Sequence, residues 1–295
     1  PRTKEGRVWE KGMAERPWLY QTPEEILIKA SNGASDFGNK FGQPLICGSL
    51  LTFEHEENRK QFAFDKVIML AGGVGFANRR DALKGNPTPG EKVVLLGGDN
   101  YRIGMGGGAV SSVDTGQFSS GIELNAVQRA NPEMQKRASN VIRALAESDN
   151  NPIVSIHDHG AGGHLNCLSE LIEATGGVID VNKLPVGDPT LSSKEIIGNE
   201  SQERMGLLIP EEATDRIQRI ADRERSPMYV VGETTDDMKL VFRQDDGKCP
   251  IDLKLEDFFG KAPRTIMTDS SVEESFEKPE YDINKLDEYL QNVLQ

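Results

Sequence analysis

Three segments of this chain combine glycine, carboxylate, hydroxyl and amide groups at spacings that suit ligand chemistry. Gly97-Gly98-Asp99 is followed by Gly104-Met105-Gly106-Gly107-Gly108-Ala109-Val110-Ser111-Ser112. Successive glycines expose backbone N–H groups able to wrap a phosphate, so Gly106, Gly107, Gly108 and Ser111 are phosphate-loop candidates. The spacing fits neither a dinucleotide fingerprint nor a Walker loop. The alternative is a tight turn where two backbones approach closely. The second segment is His157-Asp158-His159-Gly160-Ala161-Gly162-Gly163, placed between an expected strand and an expected helix. A carboxylate at the carboxyl end of a strand, before glycines that open a helix, stands where α/β proteins place ligands. Asp158 there suits Mg²⁺, which takes one or two protein oxygens and completes its shell from phosphate and water. It equally suits a helix cap. His157, His159 and His164 have no thiolate nearby and fit no common zinc spacing. The third segment, Asn199-Glu200-Ser201-Gln202-Glu203-Arg204-Met205, offers amide, hydroxyl and carboxylate groups to a polar ligand, or is a solvated turn with a Glu–Arg pair. Gln128-Arg129 is either a donor pair for an anion or ordinary surface.

The elements that must position these groups alternate along the chain. Short apolar or β-branched runs bounded by Gly, Pro or Asp predict buried strands at 45–53, 67–71, 93–96, 153–156, 178–181, 206–209, 228–231 and 239–242. Thr22-Pro23-Glu24-Glu25 is an N-cap, a first-turn proline and a capping-box glutamate. It predicts a short helix to about residue 30, ending in the turn-rich run 31–36. Asn131-Pro132-Glu133 opens a second helix, with Met134, Ala138, Val141, Ile142 and Leu145 at helical spacing. Helices are also expected over 164–175, closed by Gly176-Gly177, and over 211–223. The result is an α/β (α+β) fold, a sheet covered by helices.

The chain has 295 residues, a net charge of −13 and three scattered cysteines. The acidic balance argues against nucleic acid or an anionic membrane as a partner. No apolar run reaches the ~18 residues of a membrane span. The odd, widely spaced cysteines suggest no disulfide framework, and a cytoplasmic location is expected. The start at Pro1 and the unpartnered apolar face of Ile283, Leu286, Tyr289, Leu290, Val293 and Leu294 both suggest part of a longer chain.

Taken in order, the segments 97–112, Val127-Gln128-Arg129…Asn131-Pro132-Glu133-Met134, 157–163 and 199–204 closely resemble the large form of the phosphoribosylformylglycinamidine synthase family. Phe37…Asn39-Lys40-Phe41-Gly42…Pro44, Leu70-Ala71-Gly72-Gly73-Val74-Gly75 and Leu255…Gly260-Lys261-Ala262-Pro263 are further landmarks, so the resemblance covers nearly the whole chain. It implies an ATP-dependent ligase of purine biosynthesis that converts formylglycinamide ribonucleotide and glutamine to the amidine. It also implies a sheet-and-helix domain like the C-terminal domain of aminoimidazole ribonucleotide synthetase. Residues 1–44 would end the preceding ATP-binding half, 45–260 would form the synthetase C-terminal-type domain, and 261–295 would be a linker and the start of the next repeat.

By the same resemblance, Asp158 is a Mg²⁺ ligand and Gln128, Glu200, Ser201 and Gln202 are substrate contacts. Phe37, Gly38 and Asn39 fall where the family touches ATP, although Gly38 and Lys40 depart from its commoner pattern. His159 and His164 replace residues expected to be small or apolar, and no role follows for them. Neither a glutaminase nucleophile nor any other catalytic residue is identified. Turnover would need the remaining domains of the parent chain, including its glutaminase, and the piece alone is expected to be inactive and able to self-associate. Two rivals stay open: another enzyme of the same synthetase superfamily, and a structural half that binds no ligand.

Overall fold

A computed structural model describes residues 21–64, 67–111, 113, 117–126, 131–201, 203–261, 263–268 and 277–294. The chain divides into two compact units, Pro1–Gly260 and Lys261–Gln295. In the second, a short helical turn at Ile283–Lys285 leads into a helix, Leu286–Leu294.

The first unit is built on a seven-stranded sheet. In chain order its elements are α1 (Pro23–Phe41), β1 (Gly48–Leu51), β2 (Glu54–Glu57), β3 (Lys60–Ala63), β4 (Ile68–Ala71), β5 (Lys92–Leu96), α2 (Gly107–Ser111), α3 (Ser120–Asn125), α4 (Pro132–Ala146), β6 (Ser155–Asp158), α5 (Gly163–Leu171), β7 (Gly177–Asp180), α6 (Ser193–Ile197), β8 (Met205–Ile209), α7 (Thr214–Glu224), β9 (Met228–Thr234), β10 (Lys239–Arg243), β11 (Ile251–Lys254) and α8 (Leu255–Phe258). The sheet order is β11-β10-β7-β9-β5-β8-β6. Only β10 and β7 pair in parallel; the other neighbours are antiparallel.

The central strand β5 is apolar on both faces because both faces are covered. Val93 and Leu95 join Leu168, Leu171, Ile172, Leu208, Val231 and Phe242 in one core. Val94 and Leu96 point the other way and pack with Leu207, Ile209, Ala138, Val141, Leu145, Ile217 and Ala221, the inner faces of α4 and α7. The period-two alternation of a strand thus feeds two helix layers. This is the α/β architecture expected from the sequence.

Several local expectations fail. The first helix does not end near residue 30; it runs to Phe41. Its start is held by the expected Thr22–Glu25 capping box. Its end is a Schellman motif, in which left-handed Gly42 (φ 70°) lets Gln43 N–H donate to Gly38 O at 2.9 Å. Lys136 of α4 donates to Phe41 O at 3.3 Å, so tertiary contact favours helix through a run whose composition reads as turn.

The strands expected at 45–53 and 67–71 are not buried. β1 and β4 pair with each other in a separate two-stranded sheet and are mostly exposed. β2 and β3 form a hairpin through Asn58 and Arg59, both at positive φ, the two-residue turn geometry that matches strand twist. β6 lies two residues beyond its expected place, which brings Asp158 into its last position, opposite Met205.

Candidate functional site

The sheet register gathers the three chemistry-bearing segments at one end. Leu96, the last residue of β5, and Asp158, the last of β6, both pair with Met205, the first residue of β8. The loop after β5, the loop after β6 and the loop before β8 therefore meet. Antiparallel pairing makes this unavoidable, since β8 runs between two strands of opposite direction.

The segment before β8 threads through the other two loops. Glu200 N–H donates to Gly104 O at 2.9 Å, and Met105 and Asn199 form an antiparallel bridge. Gly104 (φ 76°) and Gly163 (φ 59°) stand against this segment so closely that a Cβ would collide with the carbonyls of Glu200 and Asn199. At these positions the glycines serve backbone approach, one of the two readings the sequence left open. Gly106 differs: φ is 70° and nothing lies within 4 Å of its Cβ position.

Glu200 is only 1% exposed. Its Oε1 accepts Gly108 N–H at 3.1 Å, from the first turn of α2, and Gly162 N–H at 3.0 Å, from the N-cap of α5. Ser201 is fully buried; its N–H donates to His159 O at 3.1 Å, and its Oγ has no hydrogen-bond partner among the described residues. Asp158, by contrast, has a side chain 68% exposed, with Oδ1 3.4 Å from His157 Nδ1. The other side of His157 meets the Glu170 carboxylate through Nε2.

Behind the loops lies a buried polar network that the sequence did not suggest. The Arg204 guanidinium is fully buried and donates to Asn199 Oδ1 at 2.7 Å, Asn199 O at 3.1 Å, Asn100 Oδ1 and His164 Nε2, the last at 2.6 Å. A guanidinium can only donate, so His164 Nε2 accepts and the proton of that ring sits on Nδ1. Nδ1 then donates to His159 Nε2 at 2.9 Å, which places the His159 proton on its own Nδ1. That atom is buried with no hydrogen-bond partner among the described residues. Burial, reinforced by the Arg204 charge, holds both imidazoles well below the ordinary histidine value, so both are neutral.

The remaining expected residues are dispersed. Phe37, Gly38 and Asn39 occupy the last turn of α1, where Phe37 stacks on Phe41 at 4.7 Å and Gly38 is buried against the Gln43 carbonyl. Gln128 and Gln202 lie outside the described residues, as does Ser112, and of Ser111 only the backbone at the end of α2 is described. Asn100 was not singled out from sequence, and His159, His164 and Arg204 were named without this role. No local signal marks them, because a buried charge is tolerated only where partners distant in sequence pair with it.

The exposed Asp158 carboxylate meets the modest demand of Mg²⁺ for one or two protein oxygens beside a phosphorylated ligand. Among the described residues no group of three or more His, Cys, Asp or Glu side chains is arranged to hold a metal by itself. Any cation here would therefore depend on ligand oxygens and water.

Phosphoribosylformylglycinamidine synthase from Dictyostelium discoideum is 40% identical over 267 residues, covering 88% of this chain and 20% of that one. The Homo sapiens enzyme of the same name is 41% identical, covering 87% of this chain and 21% of its own. The chain thus spans about a fifth of the length of these curated relatives. Among solved structures, Thermotoga maritima PurL complexed with FGAR shares the fold at TM-score 0.68 and 22% identity, covering 91% of this chain and 43% of that one. The same protein complexed with ATP superposes at TM-score 0.62 and 20% identity, covering 87% of this chain and 40% of that one. Residues 88–245 match the AIR synthase related protein, C-terminal domain, and the chain belongs to that family.

Proposed function

We propose that this chain is the first C-terminal synthetase portion of a phosphoribosylformylglycinamidine synthase, an ATP-dependent carbon–nitrogen ligase of purine biosynthesis. The observation that carries this reading is the convergence of 104–108, 158–163 and 199–204 at one end of the sheet, in a chain about 40% identical to enzymes of that name. In the proposed reaction ATP transfers its γ-phosphoryl group to the glycinamide carbonyl oxygen of formylglycinamide ribonucleotide, and the N-formyl group is untouched. Ammonia from glutamine then adds at the activated carbon, and phosphate leaves with that oxygen.

The part assigned to this chain is binding and orientation. Gly106, whose surroundings are open, presents backbone to a phosphate beside Gly107 and Gly108, and the unpartnered Ser201 hydroxyl is completed by a polar ligand. Gln128 and Gln202 are assigned to the same ribonucleotide. Asp158 holds Mg²⁺, which neutralises phosphate charge when bound. Phe37, Gly38 and Asn39 are assigned to the ATP side. The remaining domains, glutaminase included, supply the other groups.

The test is thermal unfolding of the chain with formylglycinamide ribonucleotide and Mg²⁺, beside Asp158→Ala. Ligand at ~100 times its Kd stabilises the native state by about 2.7 kcal/mol. A shift in the parent that the variant loses supports the assignment. No shift at any concentration rejects ligand binding by this portion and leaves a structural half.

A further inference from the structure

We propose that Glu200 is a positioning residue: its carboxylate bolts the glycine loop before α2 to the glycine loop before α5, and it acts on the ligand only through those loops. The inference bears on the ribonucleotide site proposed above, but its geometry and its main test need no ligand.

One oxygen, Oε1, takes the N–H of Gly108 in the first turn of α2 and the N–H of Gly162 at the N-cap of α5, at the ends of the connections that follow β5 and β6. Backbone bonds hold the carboxylate in register, with Glu200 N–H on Gly104 O at 2.9 Å and Ser201 N–H on His159 O at 3.1 Å. Gly107 is shaped to the same side chain, since a Cβ there would stand 2.5 Å from Glu200 Oε2 and 2.6 Å from Ala126 O. At the far end of the segment Arg204 grips Asn199 Oδ1 at 2.7 Å, so the peptide that carries the carboxylate is anchored behind it as well. A carboxylate at 1% exposure, turned onto two backbone amides, is a charge stabilised inside the fold. The amide of Gly162 opens α5, and a negative charge there is favoured by the helix dipole. The loop so held starts at Asp158, whose Oδ2 would stand 2.8 Å from a Cβ on Gly160. Glu200 therefore fixes where the exposed Asp158 carboxylate and the Gly106 backbone lie relative to each other.

Amide hydrogen exchange on the ligand-free chain tests this, read at Gly108 and Gly162 with Leu95 and Leu207 as controls in the sheet. Glu200→Ala is expected to speed exchange at both glycines at least tenfold while the controls stay within threefold. Glu200→Gln keeps an acceptor oxygen at the same reach and is expected to restore protection at both. Glu200→Asp keeps the charge but withdraws it by one methylene, and is expected to leave both glycines fast. Should the alanine variant not fold, the contrast between Gln and Asp decides alone. Ribonucleotide affinity with Mg²⁺ should follow the same order, with Gln near the parent and Asp and Ala weak. Unchanged exchange at Gly108 and Gly162 in the Ala and Asp variants overturns the proposal, whatever happens to binding. A Gln variant that loses binding while both glycines stay protected also overturns it, because the carboxylate would then touch the ligand. If the parent binds no ribonucleotide, the function proposed above fails and the exchange result still stands by itself.

Discussion

Lowering the pH from 7.5 to 5.5 should destabilise this protein through two buried histidines. His159 and His164 are fully buried, and His164 Nε2 accepts from Arg204, so neither ring can take a proton without placing a second cation against the guanidinium. Burial first, and the Arg204 charge second, keep both folded-state values well below the ordinary histidine value of 6.5. In the unfolded chain both rings titrate normally. As pH falls below 6.5 the unfolded state therefore takes up protons that the native state refuses. Stability is fully present above that value and declines as pH drops toward the folded-state values. Over this interval each ring accounts for on the order of 1 kcal/mol, and the pair for roughly 2–3 kcal/mol. Urea unfolding followed by far-ultraviolet circular dichroism at pH 7.5, 6.5 and 5.5 measures it. The depressed carboxylates Asp81, Asp188, Glu195 and Glu224 titrate below their ordinary values of 3.8 and 4.5, outside this window. A double variant, His159→Leu with His164→Gln, isolates the effect and should show a nearly flat profile. If parent and double variant lose stability equally, the neutral-pair reasoning is refuted.

Two further outcomes follow from packing. Gly163→Ala forces a side chain into left-handed backbone against the Asn199 carbonyl, whereas Gly106→Ala meets the same backbone demand in open space. The second should cost about 1 kcal/mol and the first at least twice that, read from urea midpoints, and equal losses would refute the close-approach account. Cys47 and Cys249 are exposed, while burial pushes the Cys167 thiol far above its ordinary value. In the native chain a thiol reagent should therefore modify two cysteines promptly and the third only on unfolding; three fast thiols would contradict the packing of α5.

The elements with strong local signals were legible from residues alone. The cap at Asn131-Pro132 with its apolar stripe, the buried run of β5 and the capping box at Thr22 each form as their chemistry requires. Ser192 and Glu195 cap α6 in the same way. The end of α1 was misplaced because Gly33 and Asn32 suggest a turn, while Lys136 and the Gly42 cap, distant in sequence or beyond the run, hold the helix together. β1 and β4 look like core strands by composition, and only pairing shows that much of their apolar surface is not in the core.

For the candidate site, residue types alone marked segments that the sheet register brings to one end, and left their roles undecided. Asp158 as an exposed carboxylate at a strand end, and Gly104 and Gly163 as points of backbone approach, became distinct once β5, β6 and β8 were in register. Along the chain 199–205 reads as a ligand-facing run or as a solvated turn with a Glu–Arg pair, yet Glu200, Glu203 and Arg204 are all buried in the fold. Local sequence determines caps, turns and periodicity because these depend on neighbours within a few residues. Which polar side chains are taken out of water, and which protons they then carry, depends on groups far apart in sequence, such as Asn100 and Arg204, 104 residues apart. Only the tertiary structure brings those together, and so only it decides that a charged segment organises the loops around it.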